Sequence, residues 1–394
     1  MQVNYRPTQA EINLDHLRAN YEAFRQVLPE HMKILACVKA NAYGHGSVMV
    51  AREMEEVGAD YLSVAFLDEA LELRQAGITL PILILGYTPP EAIAAAWEND
   101  ITVTLFSSEV LEAIKRLPVQ GEARPLKVHV KIDTGMGRLG LLPGEEALSF
   151  IEELFQVPQL EVEGLFTHFA RADEEDKSYT LEQFVRFQGV AEAVRELGYS
   201  IPIIHTGNSA AAIDTPHLSY NMVRIGISLY GLYPTDEVNQ SAVALSPVLA
   251  LKTKAVYVKT RPSHWGISYG SRYVTNQEEV IATLPIGYAD GYPRMLTGKA
   301  QVLVRGRRVP VVGTICMDQC MVSLQSFAEE ATEIQAGEEV VLIGQQAGES
   351  ITAGELASQL GTIHYELLCL IASRVPRVYM KGGTPVAVVN ALLQ

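Results

Sequence analysis

The chain has 394 residues, of which 48% are hydrophobic and 20% are charged, and its formal net charge is −15 at pH 7. This length predicts two domains, or one barrel with an appended domain, and the acidic balance excludes nucleic acid as an expected partner. The sequence contains no stretch of about 18 apolar residues and no signal peptide. We therefore expect a cytoplasmic protein without a membrane span.

The four cysteines predict neither a disulfide scaffold nor a zinc site. They are too few for a disulfide framework in a chain of this length, and they fit a reducing compartment. Cys316 and Cys320 are four residues apart, but no second Cys or His pair completes a set of zinc ligands. We expect small buried thiols and no metal.

The N-terminal part predicts a strand and a helix, and then a strand that ends in a lysine. Residues 10–28 predict the short strand and the helix, with Asp15 as the N-cap residue. The apolar segment KILACVK (33–39) predicts a buried strand that ends at Lys39, before a polar turn. A partly desolvated lysine at such a strand end can form a Schiff base with a carbonyl group. The alternative is a lysine that only marks the strand end and extends to water.

Further strand candidates alternate with amphipathic helical segments up to about residue 233. The strand candidates are 61–66, 81–86, 101–106, 126–133, 162–169, 201–207 and 222–231. The helical segments are 47–58, 67–77, 107–117 and 181–198. Eight strands at this spacing favour an α/β fold of the (β/α)8 TIM-barrel type. An open doubly wound sheet is less favoured, because no G-x-G-x-x-G follows the first strand.

The pattern changes after about residue 245. Segments 244–260, 278–289, 300–324 and 338–344 predict strands, and one clear helix is predicted at 352–361. We therefore predict a barrel domain over 1–244 and a mostly-β C-terminal domain over 245–394. Residues 1–32 could contribute a strand to the second domain.

Polar groups follow five of the eight predicted barrel strands, at the ends where barrel enzymes place their chemistry. They are Lys39 and Tyr43; Lys131, Asp133 and Arg138; His168; Asn208 and Ser209; and Arg224, Gly226 and Ile227.

Each of these groups has a chemical use and a structural alternative. Ser209 and the backbone N–H groups near Gly226 can hold a phosphate, although Ser209 equally suits a helix N-cap. Arg224 needs a partner inside its apolar strand, either in an ion pair or on a cofactor. His168 is an ordinary core histidine or a site residue. A phosphate cradle, a strand-end lysine and a buried arginine together point to pyridoxal phosphate.

The segment VKANAYGHG (38–46) resembles the pyridoxal-phosphate attachment motif of alanine racemases. Similar segments follow in order along nearly the whole chain. They are KIDTGMGRLG (131–140), THFA (167–170), HTGNSAA (205–211), MVRIGISLYG (222–231), GISYGSRY (266–273), PIGYADGYPR (285–294), ICMDQCM (315–321), HYE (364–366) and RVPRVY (374–379). The family is a fold-type III pyridoxal-phosphate enzyme with a (β/α)8 barrel and a C-terminal β domain.

The resemblance implies that Lys39 carries pyridoxal phosphate and is one catalytic base, while Tyr269, from the partner subunit of a homodimer, is the second. It places Arg224 at the pyridine nitrogen with His168 beside it. The phosphate would be held by Tyr43, Ser209, Gly226, Ile227 and Tyr365. Substrate would meet Arg138, Met317 and Asp318. Lys131 would be N-carboxylated, which supplies the anion that Arg138 needs.

The implied function is racemisation of alanine by two bases, which supplies D-alanine for peptidoglycan. A racemase of wider range that also accepts serine is the alternative. A barrel-type decarboxylase would lack the tyrosine of SYG, and a cofactor-binding protein of this kind would be a single barrel. Thr314 departs from the family pattern, because some relatives carry a basic residue of the entry corridor there.

Overall fold

The computed structural model describes residues 4–118 and 124–393. It divides into two compact units. The barrel unit consists of His16–Ala42 and Ser47–Ser246, and the second unit contains the other described residues, including Tyr43–Gly46.

The first strand belongs to the second unit, although it opens the chain. It is β1 (Gln9–Asn13), and the helix Leu14–Val27 follows directly. The prediction of Asp15 as the N-cap residue is wrong, because Asp15 lies within the first turn of the helix. Its carboxylate instead accepts a hydrogen bond from the backbone N–H of Gly382, at 2.7 Å.

The barrel strands match the eight predicted segments, which confirms the predicted fold class. They are β2 (Lys33–Cys37), β3 (Tyr61–Val64), β4 (Ile82–Ile84), β5 (Ile101–Leu105), β6 (Leu126–Lys131), β7 (Leu160–Phe166), β8 (Ile203–His205) and β9 (Met222–Ile225). Among the described residues they form an eight-stranded sheet in the order β8-β7-β6-β5-β4-β3-β2-β9. Backbone hydrogen bonds from Asn221 to Ile204 and from Arg224 to Gly207 join β9 to β8, so the barrel is nearly closed.

The barrel strands are buried on both faces, as parallel strands covered by helices must be. Ile34, Leu62, Ile82 and Val103, for example, are completely buried. The helices of this unit that follow the strands are Ser47–Glu56, Leu67–Gln75, Ile93–Glu98, Ser108–Ile114, Glu145–Leu154, Ser178–Glu196 and Ser209–Asp214. Short 3-10 turns cover Pro90–Ala92, Pro216–Leu218 and Ile227–Tyr230.

The second unit is mostly β, as predicted. Its further strands are β10 (Leu249–Lys254), β11 (Tyr257–Arg261), β12 (Gly266–Ile267), β13 (Tyr273–Val274), β14 (Glu279–Leu284), β15 (Gln301–Val304), β16 (Arg307–Val312), β17 (Cys320–Ser323), β18 (Glu339–Gln346), β19 (Glu349–Ile351), β20 (Arg377–Lys381) and β21 (Thr384–Val389). Its helices are Ala353–Leu360 and His364–Cys369. Its 3-10 turns are Tyr269–Ser271, Tyr288–Asp290, Arg294–Leu296 and Gln325–Glu333.

The main sheet of this unit takes in β1. Over the described residues the sheet has eleven strands in the order β11-β14-β17-β16-β15-β18-β10-β1-β20-β21, with β19 paired to β18. β1 runs antiparallel to β10 and parallel to β20. The helices found in the described part of the chain are each too short or too polar to cross a bilayer.

Candidate active site

Lys39 begins a left-handed turn rather than ending a strand. Strand β2 stops at Cys37, two residues earlier than predicted. The four residues from Ala40 to Tyr43 all have φ between 52° and 54°. Left-handed helical backbone costs about 1–2 kcal/mol for each residue that carries a Cβ. Lys39 itself is half-buried.

Local hydrogen bonds hold this strained turn. One carboxylate oxygen of Glu69 accepts from the N–H of Ala40, at 2.6 Å, and the other accepts from the N–H of Ala65, also at 2.6 Å. The Asn41 side-chain oxygen accepts from the N–H of Ser47, at 2.9 Å. Glu69 was not among the predicted site residues, although an acidic residue in the first turn of a helix is a signal for bonds of this kind.

The glycines that follow Lys39 are required by close packing in the second unit. Gly44 has φ +85°, and a Cβ on it would lie 2.4 Å from the carbonyl oxygen of Leu368. Gly46 has φ +99°, and a Cβ there would lie 1.8 Å from the hydroxyl of Tyr379. Both positions therefore exclude any side chain. Close by, the rings of Tyr43 and Tyr365 have centroids 6.2 Å apart.

Arg224 lies in β9, and its guanidinium is held from several sides. Its Nη2 donates to the carbonyl oxygens of Thr167, at 2.9 Å, and Thr206, at 2.7 Å, and lies 3.1 Å from His168 Nδ1. Its Nη1 lies 2.8 Å from Nδ1 of His205, which sequence reasoning did not single out although it ends a barrel strand. Burial lowers the pKa of Arg224 to about 10, and burial together with Arg224 holds the pKa of His168 well below its ordinary value.

The loops after β8 and β9 meet at Ser209 and Gly226. Asn208, not Ser209, is the helix N-cap residue, since its side chain accepts from the N–H of Ala211 at 3.1 Å. The Ser209 hydroxyl is therefore left for another use, and it accepts from the N–H of Gly226 at 2.8 Å. Ile227 is buried and begins the next 3-10 turn. A hydroxyl and backbone N–H groups are the donors that a phosphate needs.

The positive charge of Arg138 acts on the buried amine of Lys131. Burial, and then the charge of Arg138, lower the pKa of Lys131 to about 8. The Lys131 Nζ also lies 5.3 Å from the centroid of the Phe166 ring. Arg138 is exposed, in a turn where the Asp133 carboxylate accepts from the N–H groups of Gly135 and Gly137 at 3.0 Å. Lys131 therefore loses its proton at a lower pH than an ordinary lysine does.

Tyr269 lies on an exposed, strained turn of the second unit. Its side chain is 75% exposed, and its neighbours Ser268 and Gly270 have φ +64° and +73°. Thr314 fixes this turn, because its hydroxyl donates to the Tyr269 carbonyl oxygen at 2.9 Å. In return, the Ser268 hydroxyl donates to the Thr314 carbonyl oxygen at 2.6 Å. Thr314 is buried, so the position that departs from the family pattern serves here as an anchor.

Met317 and Asp318 lie on an exposed loop that is also tied down. The Met317 carbonyl oxygen accepts from the N–H of Ala289, at 3.0 Å. Arg374 donates to Asp318 through Nη2 and to the fully buried Asp290 through Nε, both at 2.7 Å. Met317 remains 53% exposed.

The predicted site residues therefore form two groups. The barrel unit holds Lys39, Lys131, Arg138, His168, Ser209, Arg224, Gly226 and Ile227, and the second unit holds Tyr43, Tyr269, Met317, Asp318 and Tyr365. Within the barrel, the charges of Arg224, Arg138, Lys131 and Lys39 all lower the pKa of His168, which shows that these groups lie near one another. An amine, a buried guanidinium, and hydroxyl and amide donors together fit pyridoxal phosphate.

Family models match both parts of the chain. Residues 12–234 match the model described as alanine racemase, N-terminal domain, and residues 248–379 match that described as alanine racemase, C-terminal domain. The alanine racemase of Desulforamulus reducens is 47% identical over 95% of this chain and 99% of its own length. Alanine racemase 1 of Oceanobacillus iheyensis is 46% identical over 96% of this chain and 99% of its own.

Solved structures agree with these matches. Alanine racemase from Clostridium difficile 630 superposes with a TM-score of 0.93 at 45% identity, covering 99% of each chain. The enzyme from Bacillus anthracis with bound L-Ala-P gives a TM-score of 0.93 at 43% identity, covering 100% of each chain. This chain belongs to the alanine racemase family of pyridoxal-phosphate-dependent isomerases.

Proposed function

We propose that this protein interconverts L-alanine and D-alanine by a two-base mechanism and so supplies D-alanine for peptidoglycan. One observation carries the proposal: a half-buried lysine follows the first barrel strand, and a tyrosine projects from a strained turn of the second unit. Racemisation removes a proton from one face of the α-carbon and returns one on the other face. Lys39 and Tyr269 are the two bases in this proposal.

The barrel residues would hold and orient pyridoxal phosphate. When bound, the cofactor delocalises the electron pair that remains on the α-carbon after proton removal. Lys39 would carry it, and Ser209, Gly226 and Ile227, with Tyr43 and Tyr365, would hold its phosphate. Arg224 would donate to the pyridine nitrogen, because a guanidinium has no lone pair with which to accept. His168 would lie beside Arg224.

We further propose a homodimer whose active sites are shared between subunits. The second unit exposes several large apolar side chains around the second base, including Trp265 at 50%, Tyr269 at 75% and Met317 at 53%. Exposed large apolar side chains of this kind favour burial against a partner. In this arrangement Tyr269, Met317 and Asp318 of one subunit would complete the site that contains Lys39 and Arg138 of the other.

We also propose a cytoplasmic location for the protein and a boundary between its two domains. A cytoplasmic location is supported by the four cysteines, which all lie among the described residues and are free thiols. A domain boundary between residues 244 and 245 is supported by the interval between Ile225, where the last barrel strand ends, and Leu249, where β10 begins.

A comparison of racemisation rates for alanine and serine distinguishes an alanine racemase from a racemase of wider range. We expect the purified, pyridoxal-phosphate-loaded protein to racemise alanine with a kcat/KM at least about tenfold above that for serine, a ratio of the size that one hydroxyl can produce. The decay of optical rotation from each pure enantiomer measures this. Equal values for the two substrates would favour the serine-accepting alternative, and no racemisation of either would refute the proposal.

Lys131 is expected to form a carbamate with CO2. Its unprotonated amine would attack the carbon of CO2, form an N–C bond and release one proton. Because the pKa of Lys131 is lowered to about 8, the reactive fraction rises as the pH rises through that value. At a fixed CO2 pressure, carbamate should therefore increase with pH. The product is an anion that Arg138 can stabilise.

Carbon-13 NMR of the protein equilibrated with labelled CO2 measures this carbamate. The resonance should disappear in Lys131→Arg. Lys127 provides the matched control, since it lies on the same strand but a hydrogen bond to Glu163 raises its pKa. Lys127→Arg should keep the resonance. A resonance that survives Lys131→Arg would contradict carboxylation at this residue.

A further inference from the structure

A row of buried polar side chains runs through the barrel behind Arg224. Four adjacent strands contribute one each: His129 from β6, Glu163 from β7, His205 from β8 and Arg224 from β9. Arg224 Nη1 lies 2.8 Å from His205 Nδ1, and His205 Nε2 lies 2.9 Å from His129 Nδ1. His129 Nε2 lies 3.2 Å from Glu163 Oε2. Both histidines are fully buried, and Glu163 is 5% exposed.

Strand register and neighbouring residues of the barrel hold the side chains of this row in place. The pairing of β6 with β7 shifts register between Val128 and His129. Opposite, Gly164 has no side chain, and a Cβ there would lie 2.3 Å from His129 Nδ1. The His205 ring stacks on Phe166, with centroids 4.7 Å apart and an angle of 2°. The two imidazoles therefore occupy fixed places in the core.

The two ends of the row fix the direction of every hydrogen bond in it. A guanidinium can only donate, and an ionised carboxylate can only accept. Although burial opposes ionisation, hydrogen bonds from His129 and Lys127 lower the pKa of Glu163 to about 2. Burial lowers the pKa of His129 although its hydrogen bond to Glu163 opposes this, and burial and Arg224 hold the pKa of His205 well below its ordinary value, which favours two neutral rings.

Neutral rings leave a single consistent arrangement. His129 must donate from Nε2 to Glu163, which leaves its Nδ1 as an acceptor. His205 then donates from Nε2 to His129, which leaves its own Nδ1 to accept from Arg224. If every hydrogen bond in the row ran in the opposite direction, an N–H of His205 would face an N–H of Arg224.

Glu163 also supplies a negative charge for this row. The other contacts of the Arg224 guanidinium are two carbonyl oxygens, His168 Nδ1 and the face of the Phe166 ring, 5.6 Å from its centroid. The row links this buried cation to the Glu163 carboxylate through two neutral rings. A buried cation needs such compensation. At its outer side, Glu163 Oε1 accepts from Lys127 Nζ at 2.6 Å.

We propose that Glu163 is a remote positioning residue for Arg224, and that it acts by fixing the tautomers of His129 and His205. The proposal rests on the proposed function, in which Arg224 faces the cofactor ring. Without the carboxylate, His129 and His205 can exchange their donor and acceptor nitrogens, and Arg224 loses a defined acceptor. Arg224 would then no longer present one orientation to the ring nitrogen.

The test combines nitrogen-15 NMR of histidine-labelled, cofactor-loaded protein with steady-state kinetics. In the native protein, His129 and His205 should both be neutral and protonated at Nε2. Either ring found protonated at Nδ1, or charged, would overturn the proposal without any variant. This result also stands apart from racemase activity, so failure of the proposal and failure of the proposed function are distinguishable.

Glu163→Leu is the informative variant, since a glutamine could still accept from His129. We expect its His205 signal to show a mixture of tautomers. We expect kcat to fall roughly tenfold to a hundredfold, as when outer-shell partners of ligand histidines are lost, while KM stays within about twofold. Glu163 also accepts from Lys127 and from Tyr61. Lys127→Met removes the first of these and leaves the bond to His129, so it should change neither tautomers nor kcat. A folded Glu163→Leu protein with native tautomers and native kcat would refute the proposal.

Discussion

Replacement of Lys39 by alanine is expected to abolish racemisation, with a loss of kcat of roughly 10³-fold or more, because one residue carries both the covalent link to the cofactor and one of the two bases. The visible absorbance of lysine-bound pyridoxal phosphate should disappear together with the activity. Both are measured on the purified protein after incubation with pyridoxal phosphate and removal of the unbound cofactor.

Lys33 provides the matched control, since it lies at the opposite end of the same strand. Its side chain is 43% exposed, and its Nζ lies 3.7 Å from Asp60 Oδ1, an ion pair of little energetic weight. Lys33→Ala should keep both the absorbance band and the activity. A Lys39→Ala protein that retains the absorbance band would show that Lys39 is not the residue that carries the cofactor.

Tyr269→Phe should lower kcat for racemisation by roughly 10²-fold to 10⁴-fold, the range for loss of one general acid–base group. The hydroxyl is removed while the ring, which is exposed on its turn, stays in place. Because Lys39 remains, exchange of the α-hydrogen for deuterium should persist in one enantiomer while inversion is lost. NMR of alanine in deuterated water measures exchange and inversion together.

Tyr257→Phe is the control for this variant, since Tyr257 is an exposed tyrosine of the same unit that lies beside the Lys259 side chain. It should leave racemisation unchanged. Inversion that continues at the native rate in Tyr269→Phe would exclude this tyrosine as a base.

The same variants test whether sites are shared. When Lys39→Ala and Tyr269→Phe subunits are mixed and allowed to exchange, half of the dimers contain one subunit of each kind. One site in each such dimer then has both native residues, so activity should return to roughly a quarter of the native value. No recovery after proven subunit exchange would mean that each subunit supplies its own tyrosine.

The elements of the barrel could be predicted from the sequence because each strand is a short apolar run and its neighbours are amphipathic. Strands β2 to β9 all fall within the predicted segments, except that β7 begins at Leu160, two residues before its predicted start. Short helices were harder to predict: Ile93–Glu98 and Ser209–Asp214 span six residues each, too few to show a 3.6-residue period. The hairpin of β20 and β21 was also not predicted as a pair of strands.

The residues of the candidate site could be named from the sequence, but their geometry could not. Strand-end polarity indicated Arg224, and the family motif indicated Tyr269. Neither could indicate which groups Glu69, Thr314 and Glu163 bind, because these residues act by hydrogen bonds to groups distant in the chain. Such contacts depend on which strands become neighbours, and a single sequence does not contain that information.

The turn after Lys39 reverses the stereochemical preference of its residues. At φ near +53°, Ala40 and Ala42 adopt the mirror image of ordinary helical backbone. By symmetry, this conformation is the favoured one for a D-amino acid and the strained one for an L-amino acid. A chemically synthesised chain with D-alanine at either position would therefore relax the backbone beside the lysine, whereas the same exchange in the helix Ser178–Glu196 would disrupt it.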